Sequence, residues 1–214
     1  MTATAAQIPN SREKILEVAE ALFSRSGFSG VGMREVAEQA GLGKSSLFHH
    51  FASKQSLFFE VVGHVLVRIA DRVMPALEGE GCPTERLDAT SDAMVDALVE
   101  HPTSARLLLR SLFDDHPFFA DELPPEGHAV DAALLHLIGR FQQLIRDGIE
   151  LGEFRDVSVV DATQTIVGAA VFHFASGDFG ETVLGGSLFS AEAVARRRDE
   201  QRAFFRHALV LAPA

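Results

Sequence analysis

Apolar residues recur at one-face helical spacing along most of the chain. Ile15, Val18, Ala19, Leu22 and Phe23 form the first stripe, ended by Gly27, with Asn10 or Ser11 as its cap. Met33, Val36, Ala37 and Ala40 form a second, short stripe, broken by Gly41-Leu42-Gly43. Leu47, Phe48 and Phe51 resume the pattern after about one turn. A further break at Ala52-Ser53 leads into a long helix with Phe58, Val61, Val62, Val65, Leu66, Ile69 and Val73 on one face. Two short helices joined by a glycine-containing turn have the form of a helix-turn-helix, here propped by the helix before it. Residues before Pro9 carry no such pattern and read as disordered.

Beyond the loop Gly79-Glu80-Gly81-Cys82-Pro83 the helical period continues. Leu87, Met94 and Leu98 mark one helix, stopped at His101-Pro102, and Pro102 suits the first position of the next. Ala105, Leu108, Leu109, Leu112 and Phe113 follow, then an irregular segment through Pro117 and Pro124-Pro125. Val130, Leu134, Leu137, Ile138, Phe141, Ile145 and Ile149 predict a long helix closed by Gly152. Ala162 to Phe174 is apolar nearly all round, which implies burial on every side, with one side supplied by a partner subunit. Gly177 to Gly186 reads as a loop, and Ala191 to Leu211 as a final helix carrying Phe204, Phe205, Leu209 and Leu211. The expected fold class is all-α.

Charge sharpens this division. The net charge is −11, which alone argues against a nucleic-acid partner. Yet the cations Arg12, Lys14, Arg25, Arg34, Lys44 and Lys54 outnumber the anions Glu13, Glu17, Glu20, Glu35 and Glu38 up to Phe58. The acidity therefore lies in the body, which suits a small head on DNA and a body held away from it. Arg196-Arg197-Arg198 reads as a solvated face balanced by Glu192, Asp199 and Glu200. Cys82 is the only cysteine, so no disulfide forms within the chain and a reducing cytoplasm is favoured. The N-terminus lacks the basic start and apolar core of a signal peptide, and the longest uncharged run, between Asp161 and Asp178, is too short for a bilayer core of about 30 Å. A soluble protein without membrane contact is expected.

The second helix of the motif carries Lys44, Ser45, Ser46, His49 and His50, groups suited to phosphates and base edges in a groove. Lys54 is a further candidate phosphate binder, Arg34 a further candidate DNA-binding residue, and Phe48 a candidate for packing on sugar or a thymine methyl. Phe51 is assigned to the core. Other chemistries fail on spacing. Gly41-Leu42-Gly43-Lys44-Ser45 lacks the upstream glycine and the preceding strand of a phosphate-binding loop. The nine histidines form no i, i+4 pair of ligand type and no Cys/His cluster, so no metal site and no cofactor are expected. No nucleophile, base and orienter set is visible, and an enzyme is not expected. The apolar stripes suggest a ligand pocket among Leu109, Phe113, Leu137, Phe141 and Phe172, with His173 as a polar hook.

The segment MREVAEQAGLGKSSLFHHFASKQSLF, with the helix before it, resembles the TetR (tetracycline repressor) family of transcriptional regulators. Ala40-Gly41-Leu42-Gly43-Lys44, Leu47-Phe48-His49-His50-Phe51 and Ser53-Lys54-Gln55-Ser56-Leu57 align with that family's signature, in spacing and residue type, over about thirty positions. The resemblance implies a helix-turn-helix DNA-binding domain over residues 1–57 and a helical ligand-binding and dimerisation domain over 58–214. It implies a homodimer on double-stranded, near-palindromic operator DNA, a small apolar effector, and repression relieved by that effector. It also implies that the last two long helices pair with their copies in a four-helix interface. Three departures stand out. Val31 and Gly32 occupy hydroxyl positions ahead of the second helix, Gly43 replaces the serine that opens the recognition helix, and Phe48 replaces a tyrosine. Fewer phosphate contacts than in a typical member are expected, and a helical ligand- or partner-binding module with impaired DNA binding is the alternative reading.

Overall fold

The computed structural model describes residues 11–112 and 122–212. Among them are ten helices: α1 (Ser11–Ser26), α2 (Met33–Gln39), α3 (Lys44–His50), α4 (Lys54–Leu77), α5 (Pro83–Glu100), α6 (Pro102–Ser111), α7 (Pro125–Glu150), α8 (Val159–Ala175), α9 (Gly177–Leu184) and α10 (Ala191–Leu209). No strand forms among the described residues, where the β pairing is a single antiparallel bridge between Phe154 and Val210. The expected all-α class holds. The Asn10 cap, the segment before Pro9 and the irregular stretch around Pro117 lie outside the described residues.

Two apolar cores divide the molecule. The first joins α1, α2, α3 and the first half of α4, and reaches Leu107 and Val130 of the body. At its centre Phe23, Phe28 and Phe58 meet, with Phe58 edge-on to both others at 5.2 Å between centroids. The second core begins at Val73 on α4 and takes in α5, α7, α8, Ala105 of α6, and Val194, Phe205 and Leu209 of α10. One 24-residue helix, α4, thus belongs to both. Its start is capped as expected, because the Ser53 hydroxyl accepts from the Ser56 N–H at 3.0 Å. Pro75 lies inside its last turn, where the missing N–H forfeits one helical bond just before the helix ends.

A clasp holds the far end of the body. Gly148 lets α7 pass the Phe154 ring so closely that any Cβ there would collide with it. The chain then turns back, the Arg155 N–H donating to Leu209 O and the Leu211 N–H to Glu153 O, both at 2.8 Å. The Glu153 carboxylate also accepts from the Thr84 N–H at 3.0 Å and hydroxyl at 2.7 Å, tying in the start of α5. Those donors hold the Glu153 carboxyl below its usual pKa.

Three expectations need correction. The stretch from Gly177 to Gly186 is not a loop: α9 occupies Gly177–Leu184. Its glycines bound the helix rather than break it. Gly177 and Gly185 adopt positive φ of 53° and 72°, and Gly180 sits against Ser176 and Leu188 with no room for a side chain. The final helix stops at Leu209, because Val210 is drawn into the bridge with Phe154. The arginine run is a solvated face only at exposed Arg196. Arg198, Arg202 and Arg206 pair with Asp96, Asp92 and Asp88 of α5, one turn apart on each helix. Arg197 turns inward and donates to Ala169 O at 2.8 Å.

Candidate nucleic-acid interface and apolar cavity

The head presents α3 on a short stem. The end of α2 closes in a Schellman turn: Leu42 N–H donates to Ala37 O at 2.9 Å and Gly41 N–H to Glu38 O at 3.1 Å. Gly41 adopts φ +69°, the left-handed conformation such a turn requires. Gly43 then caps α3 in an extended conformation with no side-chain bond, and Gly32 does the same for α2. The hydroxyls missing from the sequence are thus missing at the helix starts. Leu47 is the one fully buried residue of α3 and anchors it in the first core, with Phe51 just behind.

What α3 turns outward follows from that anchor. Lys44, Ser45 and His49 are exposed, while Ser46 and His50 are half-buried. Phe48 is 42% exposed, and Lys44 Nζ lies 5.7 Å from its ring centroid. No carboxylate pairs with Lys44, His49 or His50 within ion-pair distance among the described residues. Arg34 is different: on exposed α2 its guanidinium meets Glu38 at 2.7 Å. Lys54, at the start of α4, is half-buried with Nζ 4.3 Å from the Phe28 ring, and burial lowers its pKa. Two cations of α1 gain a place that periodicity could not give them. Exposed Lys14 lies beside the turn, its Nζ 3.5 Å from where a Cβ of Gly41 would sit. Arg12 stacks over Phe51 and pairs with Glu60. Only the fold brings residues so far apart in the chain together.

A polar knot ties this head to the body. Buried Glu20 of α1 accepts from Arg68 of α4 at 2.8 and 2.9 Å and from the Thr103 hydroxyl of α6 at 2.6 Å. Arg68 also donates to the Ser104 hydroxyl at 3.2 Å. One helix of the head, the shared helix and the start of α6 thus meet at one carboxylate.

The other end of α6 borders a cavity of about 490 Å³ between α4, α5, α6, α7 and α8. Leu109, Leu137, Phe141 and Phe172 line it, together with Met94 and Val167. Phe113 lies outside the described residues. His173 does not line this cavity. Successive helical residues point about 100° apart, so His173 faces a separate cavity of about 150 Å³ with Arg196, Arg197 and Glu200. Burial first, then Arg197 and Arg196, lower its pKa to about 4. No group of three or more His, Cys, Asp or Glu that could hold a metal ion occurs among the described residues. No described helix is long and apolar enough to cross a membrane.

A three-helix head with an outward cationic α3, set on a helical body with an apolar cavity, is the architecture of a helix-turn-helix regulator. Residues 15–61 match the family described as bacterial regulatory proteins of the tetR family, and residues 83–202 match the tetracyclin repressor-like C-terminal domain. The chain belongs to the TetR family. It is 32% identical over 101 residues to the HTH-type transcriptional repressor KstR2 of Mycobacterium tuberculosis, covering 47% of this chain and 50% of that protein. It is 28% identical over 129 residues to the HTH-type transcriptional activator FasR of Mycolicibacterium smegmatis, covering 60% of this chain and 59% of that protein. The matched region therefore spans little more than half the length of these curated relatives. In overall fold the chain is similar to the ketosteroid transcriptional regulator KstR2 of Mycobacterium tuberculosis, with TM-score 0.73, 21% identity and coverage of 98% and 100% of the two chains. It is similar also to AibR in complex with isovaleryl coenzyme A and operator DNA, with TM-score 0.72, 16% identity and coverage of 91% and 97%.

Proposed function

We propose that this protein is a DNA-binding transcriptional regulator, a repressor that works as a homodimer and is released from a near-palindromic operator by a small apolar effector. The observation that carries this reading is the outer face of α3. Exposed Lys44 lacks a carboxylate partner among the described residues, whereas Arg198, Arg202 and Arg206 of α10 each reach an aspartate of α5. Lys44, Ser45, Ser46, Phe48, His49 and His50 make up the groove-facing set, with Arg34, Lys54 and Lys14 at its flanks. Residues 1–57 form the reading head and residues 58–214 the sensing and pairing body. The exposed Phe179, Val183, Leu184 and Phe204 of α9 and α10 support pairing of two copies through this end of the body. A dimer presents α3 twice, about one helical turn of DNA or a multiple apart. A DNA partner places the protein in the cytoplasm.

The effector acts by preferring one separation of the two heads over the other. The Glu20 knot gives α6 a route to both α1 and α4. A band-shift titration with and without Lys44→Ala tests the head. Loss of specific binding supports the regulator, and unchanged specific binding removes it.

The uncapped starts of α2 and α3 favour a second reading, a ligand- or partner-binding module with impaired DNA binding. Selection from random duplex DNA at moderate salt separates the two. An enriched palindromic sequence retains the regulator, and the absence of enrichment favours the module.

A further inference from the structure

The cavity of the body is unusual in where its hydrogen-bonding capacity lies. None of its lining residues among the described ones carries a charge. Its two buried hydroxyls are already committed to their own helices: Ser111 donates to Leu108 O at 2.8 Å and Thr163 to Val159 O at 2.7 Å. The lining amides are Gln142 of α7, half-buried, and Gln164 of α8, exposed. Neither has a hydrogen-bond partner among the described residues. The deep wall is therefore hydrocarbon, and the free donors and acceptors sit at the rim. An ionised group drawn inside would meet no opposite charge among the described lining residues, and an unpaired buried charge is strongly disfavoured. The volume lies in the range of about 300–1,000 Å³ that drug-sized molecules occupy.

From this lining we infer that the effector is an uncharged, largely hydrocarbon molecule with one neutral polar group, held at the rim by the Gln142 and Gln164 amides. Free carboxylates, phosphates and ammonium compounds are rejected at the same site. The inference rests on the effector-released regulator reading, and it narrows the class of effector.

Gly168 supplies the means of testing it. It lines the cavity on α8, and a Cβ added there meets no atom within 4 Å. A large side chain at this position enters open space rather than the packed core. Full-length protein is titrated with 1-decanol and with decanoate at neutral pH, and binding is read by calorimetry. The inference expects 1-decanol to bind at least about tenfold more tightly than decanoate. Gly168→Phe should abolish decanol binding, while Gly168→Ala retains it. Gln142→Leu combined with Gln164→Leu should weaken decanol severalfold while leaving the fold intact by circular dichroism. Equal or tighter binding of decanoate, failure of decanol to bind, or undiminished binding by Gly168→Phe would each overturn the inference. Operator binding is measured in parallel. Decanol that binds as expected but leaves operator affinity unchanged contradicts the effector-release reading while sparing the chemistry assigned to the cavity.

Discussion

Lys44 on the outer face of α3 and the arginines of α10 along the seam with α5 are cations on a helix, and they have opposite fates. Along the seam Arg198, Arg202 and Arg206 each reach an aspartate on the facing helix. On α3, Lys44 reaches none among the described residues. The seam spends its charge on joining two helices of one chain, whereas the head leaves its charge for something outside. A net charge summed over residues cannot separate the two cases. Position relative to the folded neighbours does.

The sharpest way to break this comparison is to remove one cation from each helix. Lys44→Ala should lower operator affinity by about tenfold or more, with stability changed by less than about 0.5 kcal/mol, as for a surface substitution. Fluorescence anisotropy and urea melts read the two quantities. Arg202→Ala should do the reverse. Its guanidinium contacts both oxygens of Asp92 at 2.7 and 2.9 Å, about one-third exposed, so a loss of about 1 kcal/mol is expected. Operator affinity should stay put, and a double-mutant cycle with Asp92→Ala isolates the coupling. If Arg202→Ala instead weakens DNA binding while sparing stability, the contrast between the two helices is lost.

Salt sharpens the contrast further. The slope of log affinity against log salt should fall by about 0.9 in Lys44→Ala and not at all in Arg202→Ala. The smallest effect is a matter of pH. His173 faces Arg196 and Arg197 across the small cavity, with a pKa of about 4 against an ordinary 6.5. Its neutral form is favoured by folding, so the unfolded chain binds more protons between pH 6.5 and 4, and stability declines as pH falls through that window. The side chain is half-buried, which moderates the effect. His173→Phe should flatten that part of the stability profile.

Much of the head was readable from the chain alone because its signals are local. The stripe Ile15–Phe23, the Gly41 turn and the buried pair Leu47 and Phe51 all follow from spacing within a few residues. The same is true of four cavity residues, whose stripes on the sixth, seventh and eighth helices converge as the period requires. The failures share a cause. Arg202 and Asp92 lie 110 residues apart, and no local pattern pairs them. The glycines around α9 looked like breaks because only packing against Ser176 and Leu188 shows that Gly180 is needed inside a helix. His173 was assigned to the wrong cavity by a single helical step from Phe172.

The stitching of Leu211 to Glu153 has a practical side. A fluorophore or reporter attached just after that residue leaves from a tethered point, not from a fraying helix end. In a paired molecule, energy transfer between two such labels would therefore report how far apart the subunits themselves sit.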